Sequence, residues 1–167
     1  ELAHASEAIC RGEIDQGFLR YDLDAGEDPY FAVIRDKTAT LYGTACSLGA
    51  RYAGGTEVEV RQLRQFGFDL GMAFQIIDDC LDVIGDEGLV GKSLGTDLET
   101  GKVTLPALRL ARRLAAQDRE RFKALLTGAG EPGAGSRRER LRAAFDFAAV
   151  VAECQQEANT YITRCQE

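Results

Sequence analysis

From Leu70 to Asp86 the chain sets a row of acids and amides along one face of a helix that is otherwise apolar. At about 100° per residue, Gly71, Gln75, Asp78, Asp79, Asp82 and Asp86 fall within one narrow sector. Leu70, Ala73, Phe74, Ile76, Ile77, Cys80, Leu81, Val83 and Ile84 cover the remaining circumference. A helix that is hydrophobic nearly all round belongs inside a domain, so the acidic stripe is expected to face a cavity. Carboxylates spaced i, i+4 repel by roughly 0.2–0.5 kcal/mol per pair at a surface, and by more where water is scarce. A positive group must offset that repulsion. Aspartate oxygens are hard ligands, and Mg²⁺ takes one or two carboxylates while filling its shell with water and phosphate oxygens. The stripe therefore points to magnesium and a diphosphate. A merely solvated face would be broader and would mix lysine with glutamate.

Helix punctuation surrounds this segment and strand signals are nearly absent, which predicts an all-α fold. Leu2 to about Leu19 has helical spacing, and Tyr21 to Glu27 reads as a loop. Asp28-Pro29 predicts a cap followed by proline at the first helical position, opening a helix that Gly54-Gly55 ends. Thr56 and Glu59 form a capping box for a helix to about Gly85, over roughly 40 Å at about 1.5 Å per residue. Gly85, Gly88, Gly91, Gly95 and Gly101 punctuate a polar loop carrying Lys92, Asp97 and Lys102. Thr104-Leu105-Pro106 restarts a helix to about Ala116, Asp118 is placed as the cap of another, and Gly128 to Gly135 forms a break. Ser136 and Glu139 make a second capping box, after which helical sequence is expected to run unbroken to the last residue.

Composition bounds the rest. With 167 residues, 45% of them hydrophobic, the chain can bury a sizeable core as one domain or a large part of one. A net charge of −7 argues against a nucleic-acid partner or an anionic membrane surface. Cys10, Cys46, Cys80, Cys154 and Cys165 include no C-x-x-C pair, which suits buried thiols in a reducing cytoplasm. No segment reaches the ~18 uninterrupted apolar residues of a membrane span.

The run Phe74-Gln75-Ile-Ile-Asp78-Asp79-Cys-Leu-Asp82, followed by Gly91-Lys92-Ser-Leu-Gly95-Thr-Asp97-Leu-Glu-Thr-Gly101-Lys102-Val-Thr104-Leu105-Pro106, resembles the second aspartate-rich motif of the trans-isoprenyl (polyprenyl) diphosphate synthases. Two upstream pieces agree in order: Gly12-Glu13-Ile-Asp-Gln16, and Lys37-Thr38-Ala39-x-Leu41. The wording of these motifs is more like the bacterial medium- and long-chain synthases than the farnesyl synthases.

The resemblance implies an antiparallel helix bundle of the isoprenoid synthase type. It also implies a prenyltransferase that condenses an allylic diphosphate with isopentenyl diphosphate to give a longer polyprenyl diphosphate. Magnesium ions would bridge aspartates and the allylic diphosphate, with Asp78 coordinating directly and Asp79 and Asp82 supporting through metal-bound water. Lys37, Lys92 and Lys102 would contact the diphosphate. Thr38 and Gln75 would donate hydrogen bonds to a phosphate oxygen or bound water, and Gln16 would lie near the allylic cation. Taken without the resemblance, the lysines are solvated charges, Glu13 and Gln16 surface polar residues, and His4 exposed or structural.

The resemblance covers the C-terminal portion of that family's domain. The first aspartate-rich motif and the basic residues that hold isopentenyl diphosphate would precede Glu1, and the last helices would follow Glu167, so both ends are expected to be cut from something longer. Three readings compete. The chain is a piece of a complete synthase, a half-enzyme complemented by another polypeptide, or a non-catalytic subunit bound to a synthase. A terpene cyclase-like or purely helical interaction domain is the alternative of another class, but the second metal motif of the cyclases does not follow Asp82. Homodimerisation is the family norm.

Overall fold

Two antiparallel helix pairs share the helix that carries the acids. The computed structural model describes residues 1–86, 88, 91, 94–129 and 135–166, and among these every regular element is helical. α1 spans Leu2–Phe18 and α2 spans Glu27–Ile34, and a π-helical turn, Arg35–Ala39, leads from α2 directly into α3, Thr40–Tyr52. α4 is the 28-residue helix Glu57–Ile84. A short α5 (Thr96–Thr100) precedes α6 (Leu105–Arg113), α7 (Ala116–Thr127), α8 (Arg137–Ala144) and α9 (Ala148–Cys165).

Both capping boxes form as expected: Thr56 accepts from the Glu59 backbone and Ser136 from that of Glu139, with each glutamate returning to the cap. The tight turn after Tyr52 makes α3 and α4 antiparallel. α9 also runs antiparallel to α4, since Cys165 near its end donates to the Phe66 carbonyl while Cys154 near its start meets Cys80. Ile76, Leu98, Leu105, Phe122, Leu126, Leu141 and Val150 are almost fully buried and form the core between the C-terminal half of α4 and α5 to α9. Each such side chain contributes about 1.5–3 kcal/mol when taken out of water.

The structure corrects four local expectations. Gly26, not Asp28, is the N-cap of α2, so Pro29 sits in the first turn instead of at its first position. Proline is tolerated there because first-turn N–H groups have no intrahelical acceptor. The helix expected to run unbroken to Gly54 contains the π-turn Arg35–Ala39, to which no proline or glycine points. Asp118 is inside the first turn of α7 instead of capping it. Helical structure does not continue unbroken from Ser136, because Phe145 is extended and Asp146 accepts the Ala148 N–H, starting α9 afresh. Phe145 and Phe147 flank Phe122, their ring centroids 5.3 and 6.3 Å from its own, so aromatic packing sets that break.

Candidate active site

Three helical segments meet at positions that only glycine allows. α1 crosses the π-turn at Gly12, where a Cβ would come within 2.8 Å of the Lys37 backbone nitrogen. α4 meets the end of the same turn at Gly71, where a Cβ would lie 2.7 Å from Ala39 Cα. The absent side chains let the backbones approach, and that approach brings together residues far apart in sequence. The π-turn inserts an extra residue into the helix, in keeping with the tendency of such turns to occur at functional positions.

On the α1 side, Lys37 Nζ donates to Gln16 Oε1 at 2.8 Å and pairs with Glu13 Oε2 at 2.5 Å. The bond from Lys37 holds the Glu13 carboxyl below the ordinary glutamate range, with help from the charge of Lys102. On the α4 side, Thr38 Oγ1 donates to Gln75 Oε1 at 2.8 Å, and Gln75 Nε2 donates to Asp79 Oδ1 at 2.8 Å. The other oxygen of Asp79 accepts from Tyr30 Oη at 2.7 Å. When Asp79 is ionised it can only accept, and the Gln75 amide then turns its nitrogen to Asp79 and its oxygen to Thr38. Thr38 therefore spends its proton on Gln75 instead of holding it out as a donor.

The three acids of the motif have separate surroundings. Asp79 is 3% exposed, and burial pushes its carboxyl up to about 7 despite the bonds from Tyr30 and Gln75; the charges of Asp97 and Asp78 push the same way. Asp82 is equally buried and accepts from the Gly95 N–H at 3.0 Å, Thr96 Oγ1 at 3.3 Å and the Asp97 N–H at 3.2 Å. It ties the start of α5 to α4, and burial followed by the nearby Asp97 charge raises its pKa. Asp78 is half-buried and borders an open, mainly apolar groove of about 250 Å³ between α4 and α9, where Leu70, Phe74 and Ile77 face Ala158 and Ile162. The stripe therefore does not face a cavity as a unit. Asp79 and Asp82 are occupied by protein donors, and Asp86 is exposed and accepts the Gly88 N–H.

Lys102 Nζ donates to Asp97 Oδ1 at 2.9 Å. Burial would lower its pKa, but the Asp97 bond and the charges of Asp97, Glu13 and Asp79 outweigh that and raise it. Lys92 lies outside the described residues. The structure thus joins Gln16 to Lys37 and Thr38 to Gln75 and Asp79, and sets Lys102 within the electrostatic reach of Glu13 and Asp79. Among the described residues no three histidine, cysteine or acidic side chains close into a metal cage. Tyr30 and Asp97 were not among the expected site residues. Asp97 stood inside the loop motif, whereas nothing local to Tyr30 signals a partner 49 residues away.

Residues 1–146 match the polyprenyl synthetase family. The chain belongs to that family. Among polyprenyl synthetase relatives, it is 41% identical over 124 residues to a short chain isoprenyl diphosphate synthase of Methanothermobacter thermautotrophicus, covering 74% of this chain and 38% of that protein. It is 44% identical over 129 residues to heptaprenyl diphosphate synthase component 2 of Geobacillus stearothermophilus, covering 77% and 38% respectively. A polyprenyl synthase from Caulobacter crescentus, solved with calcium and isoprenyl diphosphate, superposes with a TM-score of 0.88 at 32% identity, over 98% of this chain and 49% of that one. The polyprenyl synthetase fold expected from the motifs, an all-α bundle, is therefore the one observed. The chain spans well under two thirds of the length of these relatives, and no helix among its described residues is long and apolar enough to cross a membrane.

Proposed function

We propose that this chain forms the diphosphate-ionising portion of a Mg²⁺-dependent prenyltransferase, one that condenses an allylic diphosphate with isopentenyl diphosphate to make a longer polyprenyl diphosphate. The observation that carries the proposal is the meeting of α1, the π-turn and α4, which puts Gln16, Lys37, Thr38, Gln75 and Asp79 into two adjoining hydrogen-bonded groups. Folding has no need to gather these particular polar residues from three segments at one crossing.

The donor set fits a divalent ion. Asp78 offers a hard oxygen at the edge of the groove, and Asp79, raised first by burial and then by the charges of Asp97 and Asp78, lies in negative surroundings that a cation would relieve. One carboxylate is enough for an ion that keeps water and phosphate oxygens in its shell. Asp78 would hold Mg²⁺ directly, with Asp79 and Asp82 as charges behind it. When bound, the ion supplies Lewis-acid neutralisation of the leaving diphosphate.

The chain's own residues do the rest. Lys37 and Lys102, each held by one carboxylate, provide positive charge for phosphate oxygens without proton transfer. Lys92 belongs to the same proposal. Gln16, bonded to Lys37, keeps that ammonium at the crossing. The apolar groove beginning at Asp78, once covered by the remaining half of the domain, would shield an allylic chain from water and protect a carbocation from hydrolysis.

A complete catalyst needs more than this portion. Leu63, Phe66 and Phe74 form an apolar stripe on α4 with exposures of 43%, 38% and 50%, continued by Ile162 on α9. We read this stripe as the seat of the remaining half of the domain, supplied by the same polypeptide or by a complementing one. The similarity to a synthase component numbered 2 supports the second arrangement, and a homodimer of the completed unit is consistent with either. The test is a melting curve with Mg²⁺ and a non-hydrolysable allylic diphosphate. The chain should be stabilised only when both are present, and Asp78→Ala should remove the shift. No shift, or one that survives Asp78→Ala, refutes the site.

A further inference from the structure

Tyr30 is 6% exposed, packs edge-on to Phe31 at 5.4 Å between centroids, and gives its hydroxyl to a carboxylate on another helix. A buried tyrosine normally finishes on a backbone carbonyl or on water, where its bond has no consequence beyond satisfying itself. Here the acceptor is the middle of a chain that leads out to the half-buried Thr38, next to Lys37. Asp79 receives one donor on each oxygen, Tyr30 on Oδ2 and Gln75 on Oδ1. The terminal torsion of an aspartate is broad and roughly two-fold, so one donor alone leaves the carboxylate free to rotate, and two donors from opposite sides fix it.

We propose that Tyr30 is a positioning residue of the site: its hydroxyl locks the Asp79 carboxylate in the rotamer that accepts from Gln75, and so sets the Gln75 amide and the Thr38 hydroxyl. This rests on the diphosphate reading for its purpose, but the lock itself is a property of the folded chain. Tyr30 acts through Asp79 and Gln75. α2, which carries Tyr30, thereby holds the α4 motif in register with the π-turn that follows it in sequence.

The test is Tyr30→Phe, which keeps the ring and removes the hydroxyl, with two readouts on the folded 167-residue chain. The first needs no ligand: the ¹H–¹⁵N signals of the Gln75 side-chain amide should shift and lose protection from exchange in Tyr30→Phe, and should be unchanged in Tyr52→Phe. The second is calorimetric binding of Mg²⁺ and inorganic pyrophosphate. Loss of one charge-assisted bond corresponds to about a tenfold weaker affinity. Thr38→Val should weaken binding similarly, and the double variant should be no weaker than the poorer single one, because both break the same chain.

Unchanged Gln75 signals, or losses that multiply in the double variant, overturn the proposal. A wild-type chain that binds no Mg²⁺ and pyrophosphate while its Gln75 signals respond to Tyr30→Phe refutes the diphosphate reading and leaves the lock established. If Tyr30→Phe does not fold, 3-fluorotyrosine in the wild-type chain gives the same answer. The ¹⁹F signal of buried Tyr30 should differ between the ligand-free wild type and ligand-free Thr38→Val, and a signal that stays put overturns the lock.

Discussion

Arg138 on α8 donates from Nε to the Val83 carbonyl at 2.8 Å, and its terminal nitrogen reaches the Gly85 carbonyl, so a residue 55 positions downstream closes the end of α4. The last carbonyls of a helix have no intrahelical donors, and here a cation satisfies them at the negative end of the helix dipole, one turn beyond the acid motif. Removing it leaves buried carbonyls without partners. Arg138→Ala should cost about 1.5–3 kcal/mol in urea unfolding, with more frequent opening of the Val83 to Gly85 amides by hydrogen exchange. A change within error would show that water replaces the guanidinium.

The two glycine crossings separate packing from propensity. Gly71→Ala gains about 0.8–1.0 kcal/mol of helix propensity but drives a methyl to 2.7 Å from Ala39 Cα, so it should destabilise the chain. Gly49→Ala on α3 meets nothing within 4 Å and should stabilise it by about 0.5–1 kcal/mol. Thermal melts of the two variants should move in opposite directions.

Acid sensitivity is expected at Asp36. Burial pushes its carboxyl up, but hydrogen bonds from Arg11 and Arg35 outweigh burial and leave it below its ordinary value of 3.8. A carboxyl lowered on folding adds stability that is present above the unfolded pKa and is lost as pH falls through the folded one. The urea midpoint of the wild type should therefore exceed that of Asp36→Asn at neutral pH, and the difference should shrink below pH ~4. A gap that is constant down to pH 2 would contradict the assignment.

Thiol chemistry should divide the cysteines. Cys10 is exposed, whereas Cys80 and Cys154 are 2% and 0% exposed and face each other between α4 and α9. The bond with the neighbouring Cys154 thiol, and then burial, push Cys80 up, which keeps it protonated. A disulfide reagent should label Cys10 first and reach Cys80 and Cys154 only as the chain unfolds. Rapid labelling of either buried thiol in the native chain would show that the α4–α9 contact opens.

Much of the fold was legible because helices announce their ends locally. Thr56 with Glu59, and Ser136 with Glu139, are three residues apart, and both boxes formed. The Phe145 to Phe147 break was not legible, because its cause is Phe122 on a different helix. The π-turn at Arg35–Ala39 leaves no signature in composition for the same reason: it accommodates two crossing helices.

The sequence by itself determined that α4 is a long helix with a stripe of acids along its C-terminal half, and through the motifs it raised the expectation that Lys37, Thr38, Gln75 and Lys102 belong with it. Periodicity records which face of a helix is polar, and no more. Only the tertiary structure decided that the stripe divides, with Asp79 bonded to Tyr30 and Gln75, Asp82 fastening the start of α5, and Asp78 at the mouth of an apolar groove. The reason is that a buried carboxylate takes its state from the donors that reach it, and those donors come from segments the helix itself does not contain.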